Sequence, residues 1–436
     1  MKKLPILITI IILIWGWRAS VKMVIAQPTI TQNEAVVDFP NEITFTLELA
    51  EGSNVVDAVL TYDVDRFSCL DAASDVPLEV EGNRIEWEWV LSRSGNLPPG
   101  TSVWWEWTLI DANGNETAVP RQTLTIMDDR FEWRMLEDEG VHLYWYEGDL
   151  VGPLLLEAAV SGLVTLEAEM GIELQDDVQI FIYGDANEMR EALLYVQGWA
   201  GGAAFPDYNT ILLGVEPRSA DTWGLDVVPH ELAHLVVDQF DRSCVGGSRP
   251  TWLDEGLAMV AEGDPGADVI EDLNQGINGN GFEPLRSLNG SFAADYDQAG
   301  MSYSQSYSVV DYLLETYGAE QMQQLLTVLA DGNGYDESLE QVYGFNVDGL
   351  ESEWRAAIGA PSRPIPPTPT RLQAAAVPTY ALSGVPQTMP TPPSAAEPPP
   401  ETATPESSGV GICGLGIILP LMLVGFVGRR KRGEYV

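Results

Sequence analysis

Histidine and lysine are nearly absent from this 436-residue chain. It has three histidines, His142, His230 and His234, and four lysines, Lys2, Lys3, Lys22 and Lys431, all near the termini. Arginine is therefore the only strong base through the long middle of the sequence. With 65 Asp and Glu against 22 Lys and Arg, the formal charge is −43. A surface of that sign repels nucleic acid and anionic lipid, which excludes nucleic acid as a partner; well-solvated solubility accounts for it, and no function is drawn from it. Cysteine is equally scarce. Cys69, Cys244 and Cys413 form no paired framework, so a Cys69 to Cys244 bridge and two separate thiols are both open. No internal repeat is visible.

What is present divides the chain into segments. Residues 1–26 carry Lys2 and Lys3, an apolar run over 4–17, and the small residue Ala26 before Gln27 and Pro28, the layout of a signal peptide; Arg18 and Lys22 also leave an uncleaved anchor open. Residues 27–128 show short alternating runs (ITFTLEL, AVLTYDV, RIEWEWVL, SVWWEWTLI, QTLTIM) separated by turn chemistry such as Pro98-Pro99-Gly100, which predicts a β-sandwich of immunoglobulin or fibronectin III type. Its tryptophans, Trp87, Trp89, Trp104, Trp105 and Trp107, either pack the sheet or offer a platform to cell-wall polysaccharide. Residues 129–358 predict an α+β domain: strands over 141–146, 178–183 and 210–215 and helices over 154–170 and 187–197 come first. A helical half follows, including 305–317, 319–330 and 347–358.

Residues 359–409 are rich in Pro, Thr and Ser and cannot build a core, so they read as an extended stalk. Residues 410–428 are apolar, long enough for a transmembrane helix, and followed by the basic tail 429–436 with Arg429, Arg430, Lys431 and Arg432. The expectation is a single-pass protein of the cell membrane, anchored by its C-terminal helix, with the folded part extracellular.

Two of the three histidines fall in one stretch, 227–237, which reads VVPHELAHLVV. Four residues apart on a helix, His230 and His234 project from one face one turn apart and can reach a single ion. Glu231 lies about 100° further round, placed to contact a water on the metal without becoming a ligand, the mechanical sense of H-E-x-x-H. Pro229 suits the first turn of that helix. A second apolar helix begins near Thr251, and an antiparallel return would bring Glu255, twenty-one residues beyond His234, in as third ligand. Two neutral nitrogens and one carboxylate leave a position for water, the coordination of a catalytic zinc, although cobalt or manganese fit the same donors in vitro. Zinc lowers the pKa of bound water toward ~7, and Glu231 would take that proton and pass it to a departing amine. Asp254, beside Glu255, is the candidate to accept from the outer ring nitrogen of His234, in competition with Asp238. His142 has no partner pattern and reads as structural.

HELAH followed by WLDEGLA resembles the gluzincin metallopeptidases. It is most similar to the membrane-alanyl-aminopeptidase-like, peptidase MA-like branch, whose second motif reads W-L-N-E-G-F-A with the Glu as zinc ligand. The resemblance implies Glu255 for that role. It further implies that Tyr303, in SYSQSYSVVDYL, stands where those enzymes keep the tyrosine that donates to the developing oxyanion, with Tyr307 one turn away as the other candidate. No G-A-M-E-N-like segment, the aminopeptidase grip on a free amino group, is present; its nearest counterpart is 201–205 (GGAAF), an edge strand or a flexible loop. The expected function is thus a zinc metallopeptidase acting on peptides or proteins. A catalytically inactive module serving adhesion and a hydrolase of another acyl or amide bond are the alternatives.

Overall fold

The structure is a computed structural model that describes residues 28–363 apart from 68, 70, 71, 94–96, 195–200, 245, 246, 280 and 293–295. The expected signal peptide (1–26), almost all of the stalk (359–409), the membrane helix (410–428) and the tail (429–436) lie outside the described residues. The chain divides into two units, residues 1–131 with 192–195 and residues 132–191 with 196–436.

The first unit contains two antiparallel sheets. One has the order β1-β2-β5, from Ile30–Asp38, Glu42–Leu49 and Arg84–Val90; the other has the order β4-β3-β6-β7, from Ser74–Glu79, Val55–Val64, Ser102–Asp111 and Glu116–Thr125. Their inner faces meet through aromatic rings: Phe45 of β2 lies 5.3 Å from Tyr62 of β3 and 5.6 Å from Trp105 of β6, and Tyr62 lies 4.8 Å from Trp89 of β5. Trp105 and Trp107 share a face, as residues two apart on a strand must, and both indole N–H groups donate to Asn33 Oδ1, at 2.9 and 3.2 Å. Trp104, Trp105 and Trp107 are buried, and Arg121 stacks on Trp104 at 3.6 Å. Trp105 and Trp107 pack between the sheets, while Trp104, on the opposite face of β6, is covered by Arg121; the sugar platform finds no support in these three.

The second unit carries the histidine motif. Its five-stranded sheet runs β11-β12-β10-β9-β8, from Gly202–Phe205, Thr210–Gly214, Val178–Tyr183, Val141–Trp145 and Arg134–Asp138. The three central strands are parallel and the two outer ones antiparallel. Parallel neighbours need crossovers, and α1 (Val151–Met170) makes the one between β9 and β10, with the short α2 (Ala186–Glu191) after β10. The helical half follows as α3 (Trp223–Phe240), α4 (Thr251–Ala261), α5 (Ala267–Gly279), α6 (Tyr296–Tyr317), α7 (Ala319–Ala330), α8 (Tyr335–Tyr343) and α9 (Val347–Ala357). Among the described residues α1 is long and apolar enough to cross a membrane, but Leu155, Leu156, Ala159, Leu166 and Met170 are buried in the core of this unit, so it is a core helix.

Two sequence readings change here. Helix α3 begins at Trp223 and Pro229 lies inside it, forgoing the hydrogen bond to the carbonyl of Leu225. Close packing compensates: a Cβ on Gly162 of α1 would stand 2.6 Å from Pro229 Cβ. The glycine-rich run before Thr210 is strand β11, paired with β12 from Gly202↔Leu213 to Phe205↔Thr210. Cys69 and Cys244 are both disulfide-bonded, which removes the reading as two separate thiols. His142 on β9 faces Asp177 at 3.4 Å and Glu137 at 3.6 Å, both surface carboxylates.

Candidate metal centre

Helix α3 is buried on nearly every side, which fixes the directions of the side chains it carries. His230 and His234 stack edge to face with centroids 5.0 Å apart. Helix α4 packs against α6 so closely that a Cβ on Gly256 would lie 2.5 Å from Val310 Cγ2 and 2.6 Å from the Ser306 carbonyl oxygen. Only glycine permits that approach, and the residue before it, Glu255, is thereby carried to the histidines. One donor atom from each of His230, His234 and Glu255 lies within 4.8 Å of the others.

Glu255 Oε2 is 3.3 Å from His230 Nε2 and 3.6 Å from His234 Nε2. Donors ~2.0–2.2 Å from a tetrahedral ion stand ~3.3–3.6 Å from one another, so these separations are the edges of such a coordination shell. The chemistry of the atoms agrees. Seven buried side-chain nitrogen or oxygen atoms have no hydrogen-bond partner among the described residues, and five of them are here: His230 Nε2, His234 Nε2, Glu255 Oε2 and both carboxylate oxygens of Glu231. Buried polar atoms are otherwise almost always paired. Orphans converging from two helices are what a cation and its water would satisfy, and the donor set fits a metal ion.

The opposite ring nitrogens are held by carboxylates. His230 Nδ1 meets Glu262 Oε1 at 2.7 Å, and His234 Nδ1 meets Asp254 Oδ2 at 3.2 Å. Each contact fixes the tautomer that presents Nε2 inward. Asp254 in turn accepts from Arg249 Nε at 2.7 Å, and Arg249 also pairs with Asp241 and lies 3.9 Å from Asp238. The competition between Asp254 and Asp238 is thus resolved toward Asp254, because Asp238 faces the arginine. Glu262 was not anticipated. Its signal was present: it follows Glu255 by seven residues, two turns along one face of α4.

Burial opposes charge throughout, and the partners decide the outcome. For His230, burial is outweighed by the carboxylates of Glu255 and Glu262, which push its pKa up to about 10. For His234, Asp254 and Glu255 likewise overcome burial and raise it. Arg249 and His234 hold the Asp254 carboxyl well below the usual carboxylate range despite burial. Such a cluster demands positive charge at its centre. A metal ion held there would supply it in place of protons, the usual competition at such sites. Glu231 is raised by burial against the pull of the two histidines, which suits a group that must accept a proton.

Gly202 of β11 lies directly against this base: a Cβ there would be 3.0 Å from Glu231 Oε1. Tyr303 on α6 has its ring 6.4 Å from that of His230 and packs edge-on against Phe292 at 5.1 Å. Its phenol pKa is raised by burial and then by Glu255 and Glu231. Tyr307 is one turn further along. Burial and then Asp311 and Asp264 push it up to about 12, so the acids around it are not those of the histidine cluster. Of the two tyrosines the structure brings Tyr303 to the cluster.

Residues 158–360 match the family model of the Peptidase MA superfamily, a span that contains α3, α4 and α6 and supports a zincin-like metallopeptidase domain. Families of this type are typically metal-dependent, in keeping with the His-His-Glu group. No curated protein matches the chain. Solved structures with detectable similarity include a Br derivative of BhCBM56, at 12% identity over 21% of this chain and 88% of that one with a TM-score of 0.17. A polysaccharide deacetylase from Bacillus cereus is 9% identical over 37% of this chain and 53% of its own, with a TM-score of 0.20. A family 76 glycoside hydrolase from a bovine Bacteroides thetaiotaomicron strain is 11% identical over 72% of this chain and 80% of its own, with a TM-score of 0.19. The chain spans about half the length of the deacetylase, and similarity this slight carries no argument.

Proposed function

We propose that this chain is a zinc-dependent metallopeptidase held on the outside of a cell by residues 410–428, hydrolysing peptide bonds with Glu231 as general base. The supporting observation is the convergence of five buried, partnerless atoms from His230, Glu231, His234 and Glu255, within a segment matching a peptidase superfamily. Zinc, when bound by His230, His234 and Glu255, supplies a Lewis acid that makes water acidic enough to lose a proton near neutral pH.

The protein's own groups do the rest. Glu231 has both oxygens buried and unpaired and an elevated proton affinity, so it accepts the proton of the attacking water and returns it to the departing amine. Tyr303, whose raised pKa keeps the phenol protonated, donates to the carbonyl oxygen as negative charge develops there. Strand β11 is the outer strand of the sheet beside Glu231, positioned to pair an extended peptide by its backbone. Backbone pairing of that kind needs no free terminus, which favours cleavage within chains.

The test is hydrolysis of a broad peptide library by the metal-loaded full chain beside Glu231→Gln, with metal content measured in both. The reading expects peptide products from the wild type and a loss of ~10²–10⁴ in rate with metal retained in the variant. Equal activity in the two proteins would remove Glu231 from the mechanism. A metal-loaded wild type that cleaves nothing would favour the inactive adhesion module, and products from acyl or amide bonds other than peptide bonds would redirect the substrate assignment.

A further inference from the structure

A cavity of about 570 Å³ between α4, α5 and α6 is not used by the metal centre but adjoins it. Tyr303 lines the cavity while its ring stands 6.4 Å from that of His230. Met259, another lining residue, follows Glu255 by four positions and so lies one turn along the same face of α4. The walls divide by chemistry: Met259 and Met301 are apolar, whereas Asp268, Glu271 and Asp272, all from α5, are acidic. Asp272 is fixed in place, accepting from Ser304 Oγ at 3.0 Å.

Among the described residues no ion pair engages these carboxylates. The sequence has no lysine or arginine between Arg249 and Arg286. Arg249 is engaged by Asp254 and Asp241, and Arg286 by Asp336 at 3.0 Å and Asp348 at 2.7 Å. An apolar wall with an anchored carboxylate opposite suits a side chain with an aliphatic stem and a cationic end. The geometry points to a pocket that receives an arginine or lysine side chain of the substrate, anchored at Asp272, so that cleavage falls beside basic residues. The cleavage part rests on the peptidase reading above; the binding part does not.

The experiment separates the two. In the metal-loaded full chain carrying Glu231→Gln, binding is measured for a fluorescent peptide with one arginine and for its citrulline counterpart, which keeps the shape and loses the charge. The arginine peptide is expected to bind about tenfold tighter or more, the worth of one charge-assisted hydrogen bond. Adding Asp272→Asn, which keeps an acceptor for Ser304, abolishes that preference. Glu271→Gln weakens it, and Glu320→Gln, an exposed acid on α7 outside the cavity, leaves it intact and so measures general attraction by the acidic surface. Equal binding of the two peptides, no binding of either, or a preference that survives Asp272→Asn overturns the pocket. Wild-type cleavage without arginine preference sinks the pocket alone, whereas arginine preference in binding without wild-type turnover sinks the peptidase reading alone.

Discussion

At the scale of single residues, the centre is set by which nitrogen of each histidine faces inward, and carboxylates outside the ligand set decide that. Glu262 holds His230 at 2.7 Å. Replacing it with alanine frees the ring to rotate and leaves the metal more weakly held, by roughly 10–100-fold; competition with a chelator of known affinity reads this directly, and an unchanged dissociation constant would make the contact incidental. Tyr303 acts on a different quantity. If it donates only as charge develops, Tyr303→Phe lowers kcat by ~10² with KM little changed, while Tyr307→Phe leaves both near wild type. A rise in KM alone after Tyr303→Phe would place the phenol in substrate binding instead.

At the scale of elements, α4 against α6 is the contact on which the geometry depends. Gly256→Ala puts a Cβ 2.5–2.6 Å from Val310 and from the Ser306 carbonyl, and overpacking of this kind typically costs about 1–3 kcal/mol. Denaturant unfolding measures that loss; Gly263→Ala is no matched control, because its φ is +97°, whereas Gly266 has open space and serves. How far such elements were readable depended on where their apolar residues fall. Val178–Tyr183 and Ala319–Ala330 coincide with the sequence reading because one is a continuous buried run and the other a clean amphipathic helix. The start of α6 was placed at Gln305 rather than Tyr296, since the serine- and glycine-containing turns from Gly300 to Ser304 show no apolar period. Strands β1 and β4 escaped notice as outer strands with few buried positions. His230 and His234 were legible because helix geometry alone makes them neighbours, and Glu255 because WLDEGLA resembles the second motif of the gluzincins; its approach depends on the packing of a separate helix. The cavity beside Tyr303 was not, because it exists only once α5 and α6 have packed.

For the whole molecule, a metal bound at the His-His-Glu group would also be a term in stability. A ligand present at 1,000 times its dissociation constant stabilises the folded form by about 4 kcal/mol, and a unit of this size shifts by ~2–4 °C per kcal/mol. Chelation is therefore expected to lower one calorimetric transition by roughly 10 °C and leave the transition of the β-sheet unit in place. A single transition indifferent to chelator would mean that no bound ion had been removed.

The three carboxylates that address the histidines, Asp254, Glu255 and Glu262, sit on or at the end of one eleven-residue helix. They are not three independent anchors. Any slippage of that helix withdraws the ligand and both ring-orienting groups in unison, so the affinity for a cation and the seating of this helix are expected to be lost together.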